Sequence, residues 1–120
     1  MSNILLIENE ESVSEVIKAY LEKEGYHVYC ALKGLEGMEI LKLNDIKLII
    51  LDLMLPDISG EEVFRLIKQK YDIHSFILTV DGFLEDKMEG LNFGANDYLL
   101  KPFSPRELTA RVNAHFSGIK

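Results

Sequence analysis

Leu48-Ile49-Ile50-Leu51-Asp52-Leu53-Met54-Leu55-Pro56-Asp57, residues 48–57, decides the fold. Four successive apolar residues run into a carboxylate. A strand with one wet face alternates apolar and polar residues. Apolar residues in succession mark a strand covered on both faces, as in a parallel sheet. Ile4-Leu5-Leu6-Ile7 repeats the pattern and also runs into an acid, Glu8. Further apolar runs lie at Tyr26 to Cys30, at Phe76-Ile77-Leu78 and at Tyr98-Leu99-Leu100.

Helical patterns separate these runs. Val13, Val16, Ile17, Tyr20 and Leu21 form one stripe at helical spacing. Ser12 and Glu15 have capping-box spacing at its start, and Gly25 stands where a C-terminal stop belongs. Leu35, Met38 and Leu41 mark a second helix. Val63, Leu66 and Ile67 mark a third, headed by Ser59 and Glu62. A weaker fourth is predicted from about Leu84 to Phe93. The fifth starts with Ser104 as cap, Pro105 in the first turn and Glu107, and Leu108, Val112 and Phe116 line one face. Five strands alternating with five helices predict an α/β fold with an open, doubly wound parallel sheet. Ligands of such sheets bind beyond the carboxyl ends of the strands.

Those ends carry the chemistry. Glu8, Asn9, Glu10 and Glu11 follow the first strand and Asp52 the third. Thr79, Val80 and Asp81 follow the fourth, and Lys101 and Pro102 the fifth. Grouped acids repel one another, and a divalent cation with oxygen ligands relieves that; Mg²⁺ suits one or two carboxylates, a carbonyl and several waters. A metal, an ammonium and a hydroxyl around one carboxylate are what phosphoryl transfer to that carboxylate requires. Each residue alone has a plainer reading. Glu8, Glu10 and Glu11 read as helix-start charges favoured by the helix dipole, Asp52 as a turn residue and Lys101 as a surface lysine. Their joint occurrence at four strand ends favours a site.

Composition bounds the rest. The 120 residues suit one domain. With 13 basic against 20 acidic residues and a net charge of -7, the chain lacks the basic face that nucleic acid requires. The single cysteine, Cys30, excludes an internal disulfide and reads as a small buried hydrophobe. Met1-Ser2-Asn3-Ile4 is no signal peptide, and no apolar run is long enough to span a membrane, so a reduced, cytoplasmic setting is expected. His27, His74 and His115 are scattered and read as structural or surface residues. The three acids of Glu8-Asn9-Glu10-Glu11 would repel the phosphate of a flavin cofactor, and the isolated Asp follows the third strand rather than the first, where an aspartyl-phosphate hydrolase carries its nucleophile. An enzyme on this fold is therefore not expected.

Three stretches together resemble the response-regulator receiver domain of two-component signalling. They are Ile4 to Glu10, Leu51-Asp52-Leu53-Met54-Leu55-Pro56-Asp57-Ile58-Ser59-Gly60, and Gly94-Ala95-Asn96-Asp97-Tyr98-Leu99-Leu100-Lys101-Pro102-Phe103. The resemblance covers essentially all of residues 1–120. It implies a flavodoxin-like sheet of strand order 2-1-3-4-5. It implies that Asp52 accepts a phosphoryl group from a sensor histidine kinase, with Lys101 pairing to that group and a cis bond before Pro102. Thr79 and Tyr98 become the switch pair, although an aromatic at a strand end is also ordinary core or rim. Mg²⁺ is expected on Glu8, Asn9, Asp52 and the backbone carbonyl of Met54.

Two positions depart from the family pattern. Asn9 stands where the family has a second, metal-contacting acid, which weakens the expected Mg²⁺ site by one charge. Val80 replaces a small residue beside the phosphoryl position, which narrows access and predicts slow dephosphorylation. An alternative is therefore an atypical receiver that works as an interaction module without phosphorylation. The fourth helix, fifth strand and fifth helix resemble those of receivers attached to winged-helix DNA-binding domains. The resemblance implies a homodimer face of Lys87, Met88, Leu91, Asp97, Glu107, Ala110 and Arg111, pairing Lys87 with Glu107 and Asp97 with Arg111. Such a chain is expected to be the N-terminal part of a transcriptional regulator, reaching DNA only through a further domain.

Overall fold

The computed structural model describes residues 2–80 and 96–118. Its elements run β1 (Asn3–Ile7), α1 (Glu11–Lys23), β2 (His27–Ala31), α2 (Gly34–Leu43), β3 (Leu48–Asp52), α3 (Gly60–Lys70), β4 (His74–Val80), β5 (Asp97–Lys101) and α4 (Pro105–Ser117). Helix α4 is the fifth helix of the sequence pattern. The one expected from about Leu84 to Phe93 lies outside the described residues, as do Lys87, Met88 and Leu91 of the expected dimer face.

All pairings are parallel and the strand order is β2-β1-β3-β4-β5. The successive apolar residues divide between the two faces as the pleat requires. Leu5, Ile7, Ile49 and Leu51 pack with Leu41, Val63, Phe64 and Ile67 from α2 and α3. Ile4, Leu6, Leu48 and Ile50 pack with Ile17, Leu21, Leu108 and Val112 from α1 and α4. Burying one such side chain stabilises by about 1.5–3 kcal/mol. The order puts β1 and β3 at the centre, so Glu8 and Asp52 leave the sheet side by side. Helix α2 comes so close to β1 that a Cβ on Gly37 would lie 2.4 Å from Ile7 Cδ1.

The helix signals hold with one correction. Ser59 and Ser104 cap α3 and α4, accepting from the Glu62 and Glu107 N–H groups at 3.2 and 3.4 Å. Gly25 takes φ +96° just past α1, a conformation that glycine tolerates best. Ser12, however, does not cap α1. The helix begins at Glu11, and the Glu10 N–H donates to the Glu8 carboxylate at 2.9 Å, which fixes the start two residues earlier. Cys30 is half-buried, at the margin of the α1/α4 core.

Two histidines far apart in the chain meet. His74 at the start of β4 stacks on His115 of α4, with ring centroids 3.9 Å apart and planes at 25°. Burial lowers the pKa of both. At His74 the neighbouring His115 and Lys68 act in the same direction, and Asp97 opposes them. The unfolded imidazoles, with an ordinary value of 6.5, therefore take protons more readily than the folded ones. Stability is expected to fall as pH drops through that value. Urea titrations above and below it should show the loss, and a His74→Gln/His115→Gln double variant should show a smaller one.

Candidate functional site

Asp52 is the last residue of β3 and is 3% exposed. Backbone bonds fix the chain on its far side. The Leu53 N–H donates to the Leu78 carbonyl at 3.1 Å, and the Gly60 N–H to the Leu53 carbonyl at 3.0 Å. Gly60 packs against this backbone: a Cβ there would lie 2.4 Å from Leu53 Cα and 2.5 Å from the Asp52 carbonyl oxygen. The Met54 N–H donates to Asp52 Oδ1 at 3.0 Å, which orients the carboxylate and leaves Oδ2 toward β5. Further along, the Asp57 carboxylate accepts the Gly34 and Leu35 N–H groups, each at 2.9 Å, and ties this loop to the start of α2. Those bonds, the Leu35 N–H foremost, lower the Asp57 pKa.

Lys101 ends β5 and reaches across to β1 and β3. Its Nζ lies 2.8 Å from Glu8 Oε1 and donates to Glu8 Oε2 at 3.0 Å, to Asp52 Oδ2 at 3.3 Å and to Glu10 Oε1 at 3.3 Å. The Lys101–Pro102 bond is cis. Glu8 is fully buried, and its side chain also accepts the Glu10 N–H. Burial raises the Glu8 pKa, against the hydrogen bonds from Lys101 and Glu10 that favour the ionised form. At Lys101 burial opposes the charge, but the Glu8 hydrogen bond and the Asp52 and Glu8 carboxylates outweigh it and raise the pKa.

The structure thus brings together Glu8, Asp52 and Lys101 from three strand ends. It adds Glu10, which sequence reading left as a helix-start charge. Its side chain bonds Lys101 rather than capping α1. A signal was available: Lys101 is a base at a strand end in the same crevice as the acids that follow β1 and β3, and Glu10 shares a short loop with Glu8.

The other candidates surround this cluster. Thr79 is fully buried near the end of β4, and its Oγ1 has no hydrogen-bond partner among the described residues. Val80 is half-buried, opposite Lys101 in the β4–β5 register, and lines a pocket of about 570 Å³ with Glu10, Lys101, Pro102 and Phe103. Asn9 is exposed and lines a separate hollow of about 410 Å³ beside Met54. Tyr98 is half-buried against the α2/α3 core, and burial raises its pKa. On the outer face Arg111 donates to Asp97 at 2.6 Å and to Glu107 at 3.1 Å within the same chain, next to exposed Ala110.

Glu8, Asp52 and Asn9 offer the hard oxygen donors that Mg²⁺ takes. The Lys101 ammonium already stands as a cation among the carboxylates, and Thr79 leaves a buried hydroxyl unpartnered. The donor set fits Mg²⁺ in kind with few charges, since no group of three His, Cys, Asp or Glu among the described residues is placed to hold a metal. No helix among them is long and apolar enough to cross a membrane.

Known proteins share this fold. The receiver domain of the Francisella response regulator 1452 is 30% identical, with each chain fully covered and a TM-score of 0.89. Response regulator DrrB of Thermotoga maritima, an OmpR/PhoB homologue, is 30% identical with a TM-score of 0.85. The match takes in 98% of this chain and 53% of that one. A member of a streptococcal family of redox sensors evolved from two-component response regulators is 28% identical with a TM-score of 0.88, over 98% of this chain and 52% of that one. Residues 4–113 match the family model described as the response regulator receiver domain. A buried carboxylate at the end of the third strand, met by a lysine from the fifth, thus sits in a chain that belongs to the response regulator receiver domain family, the regulatory phosphoacceptor domains of two-component systems.

Proposed function

We propose that this chain is the phosphorylatable switch of a two-component response regulator, with Asp52 as acceptor and a sensor histidine kinase as donor. The observation that supports it most directly is the held geometry of Asp52. Oδ1 is fixed by the Met54 N–H, and Oδ2 lies 3.3 Å from an ammonium that can stabilise charge on an incoming phosphoryl group. In the transfer an Asp52 oxygen forms a bond to phosphorus. The phosphorus–nitrogen bond of the donor phosphohistidine breaks, and its electron pair leaves with the imidazole. Mg²⁺ held by Glu8, Asp52, Asn9 and the Met54 carbonyl would supply charge neutralisation at the phosphoryl oxygens. Thr79, buried with an unpartnered hydroxyl, is suited to donate a hydrogen bond to the modified Asp52 and to act with Tyr98 as the switch pair. The similarity to half of DrrB supports an output through a further domain, hence control of transcription in the cytoplasm. The homodimer would form on the face that carries Asp97, Glu107, Ala110 and Arg111, with Lys87, Met88 and Leu91 contributed by the fourth helix of the sequence pattern.

Intact mass after incubation with acetyl phosphate or a histidine kinase tests this reading. One phosphoryl group should add when Mg²⁺ is present, and none should add to Asp52→Asn. A second reading rests on Asn9, exposed and without the charge the family carries there: a receiver that acts through its interaction face without phosphorylation. The similar streptococcal proteins are redox sensors evolved from two-component response regulators, so the fold serves other kinds of signal as well. Unmodified mass under every condition would favour it.

A further inference from the structure

Lys101 carries three N–H donors, and all three have carboxylate partners: Glu8, Asp52 and Glu10. Two of these acids are part of the buried floor, with side chains 0% and 4% exposed, whereas the Glu10 side chain is 60% exposed. Glu10 is therefore the partner that can leave without moving the sheet. Its backbone is pinned, because its N–H is bonded to Glu8 and its carbonyl accepts the Ser14 N–H at 2.9 Å. The side chain alone is free to turn into the pocket shared with Val80, Pro102 and Phe103.

A phosphoryl group on Asp52 adds about 1.5–2 negative charges and strong acceptor oxygens. Phosphorylation turns the Asp52 carboxylate into an acyl phosphate, so the donor it held passes to the phosphoryl group, and any further donor must come from Glu10, the exposed partner. We propose that Glu10 is a positioning residue that holds Lys101 while Asp52 is unmodified and competes with a phosphoryl-like group for the ammonium. It does so through Lys101 and through its own charge, which opposes any anion brought to Asp52. Its departure marks the modified state. The inference rests on the proposed role of Asp52 and adds a residue that sets how readily the site accepts its anion.

The test compares the full chain with Glu10→Gln and Glu11→Gln, using beryllium trifluoride with Mg²⁺ as a stable phosphoryl mimic. Binding can be followed by ¹⁹F NMR, and the Lys101 ammonium by its ¹⁵N resonance. Because the Glu10 pair is largely exposed, Glu10→Gln should tighten binding about three- to fivefold. It should also shift the Lys101 resonance of the unliganded chain towards that of the liganded wild type. Glu11→Gln should change neither. Equal affinities and an unmoved Lys101 resonance in Glu10→Gln, with a wild type that binds the mimic, would overturn the role of Glu10 alone. A wild type that neither binds the mimic nor takes a phosphoryl group would overturn both this inference and the function it rests on.

Discussion

Lys101→Met is expected to destabilise the folded chain by about 3 kcal/mol or more at neutral pH, because it strands two buried carboxylates. The Glu8 and Asp52 side chains are 0% and 4% exposed, and both lie within 3.3 Å of the ammonium that would be lost. Removing one partner of a buried ion pair costs more than the pair contributes, since the remaining charge has neither water nor a counter-ion. Burial already raises the Glu8 pKa with the lysine present, and without it the shift must grow. The sign of the pH dependence follows. Between the ordinary Glu value of 4.5 and the raised folded value, the native state binds more protons than the unfolded one, so stability falls as pH rises through that window. The variant should therefore lie close to wild type near about pH 4.5 and show its full deficit only above the folded pKa. Urea denaturation of both proteins across this range checks the result, and adding Glu8→Gln to the variant should recover much of the loss. Equal deficits at both ends of the range would mean that Glu8 does not carry the cost.

The second large effect is on the cation. Asn9→Asp is expected to tighten Mg²⁺ binding roughly ten- to a hundredfold. A unit charge about 4 Å away is worth at most about 4 kcal/mol at an effective dielectric of 20, and a third of that already gives tenfold. Asn9 is exposed and lines the hollow beside Met54 rather than the pocket of Glu10 and Lys101, so a carboxylate there would add charge without competing for the lysine. Calorimetric titration with MgCl₂ measures it directly. The same change should lower stability in the absence of metal, because it adds a like charge next to Glu8 and Asp52. Unchanged Mg²⁺ affinity would show that the missing carboxylate is not what limits the site.

The sheet was legible because Ile4 to Ile7 and Leu48 to Leu51 are apolar without alternation, and only a strand covered on both faces needs that. The meeting of Glu8, Asp52 and Lys101 was legible too, since a parallel sheet delivers its strand ends to one rim. What stayed hidden depends on contacts between distant segments. Ser12 has capping chemistry, yet the Glu8 carboxylate draws the Glu10 N–H and starts α1 earlier. Glu10 looks like a helix-start charge until Lys101 arrives from a position 91 residues away. His74 and His115 have no meaningful spacing along the chain, and the fold alone stacks them. Arg111 was paired with Asp97 by resemblance, whereas its second bond, to Glu107 within the same chain, follows from helical spacing in α4.

The two hydrogen bonds that the first N–H groups of α2 donate to the Asp57 carboxylate bear on how the molecule comes apart. Local opening of a protein proceeds by cooperative segments, each with its own free energy. The loop that carries Met54 and holds Asp52 in place is fastened at one end to β3 and at the other to a helix on a different segment of the chain. Any fluctuation that frays the first turn of α2 also releases that loop. The held geometry of Asp52 therefore has the lifetime of the weaker segment rather than that of the central sheet, and it is lost in partial openings that leave β1 and β3 paired.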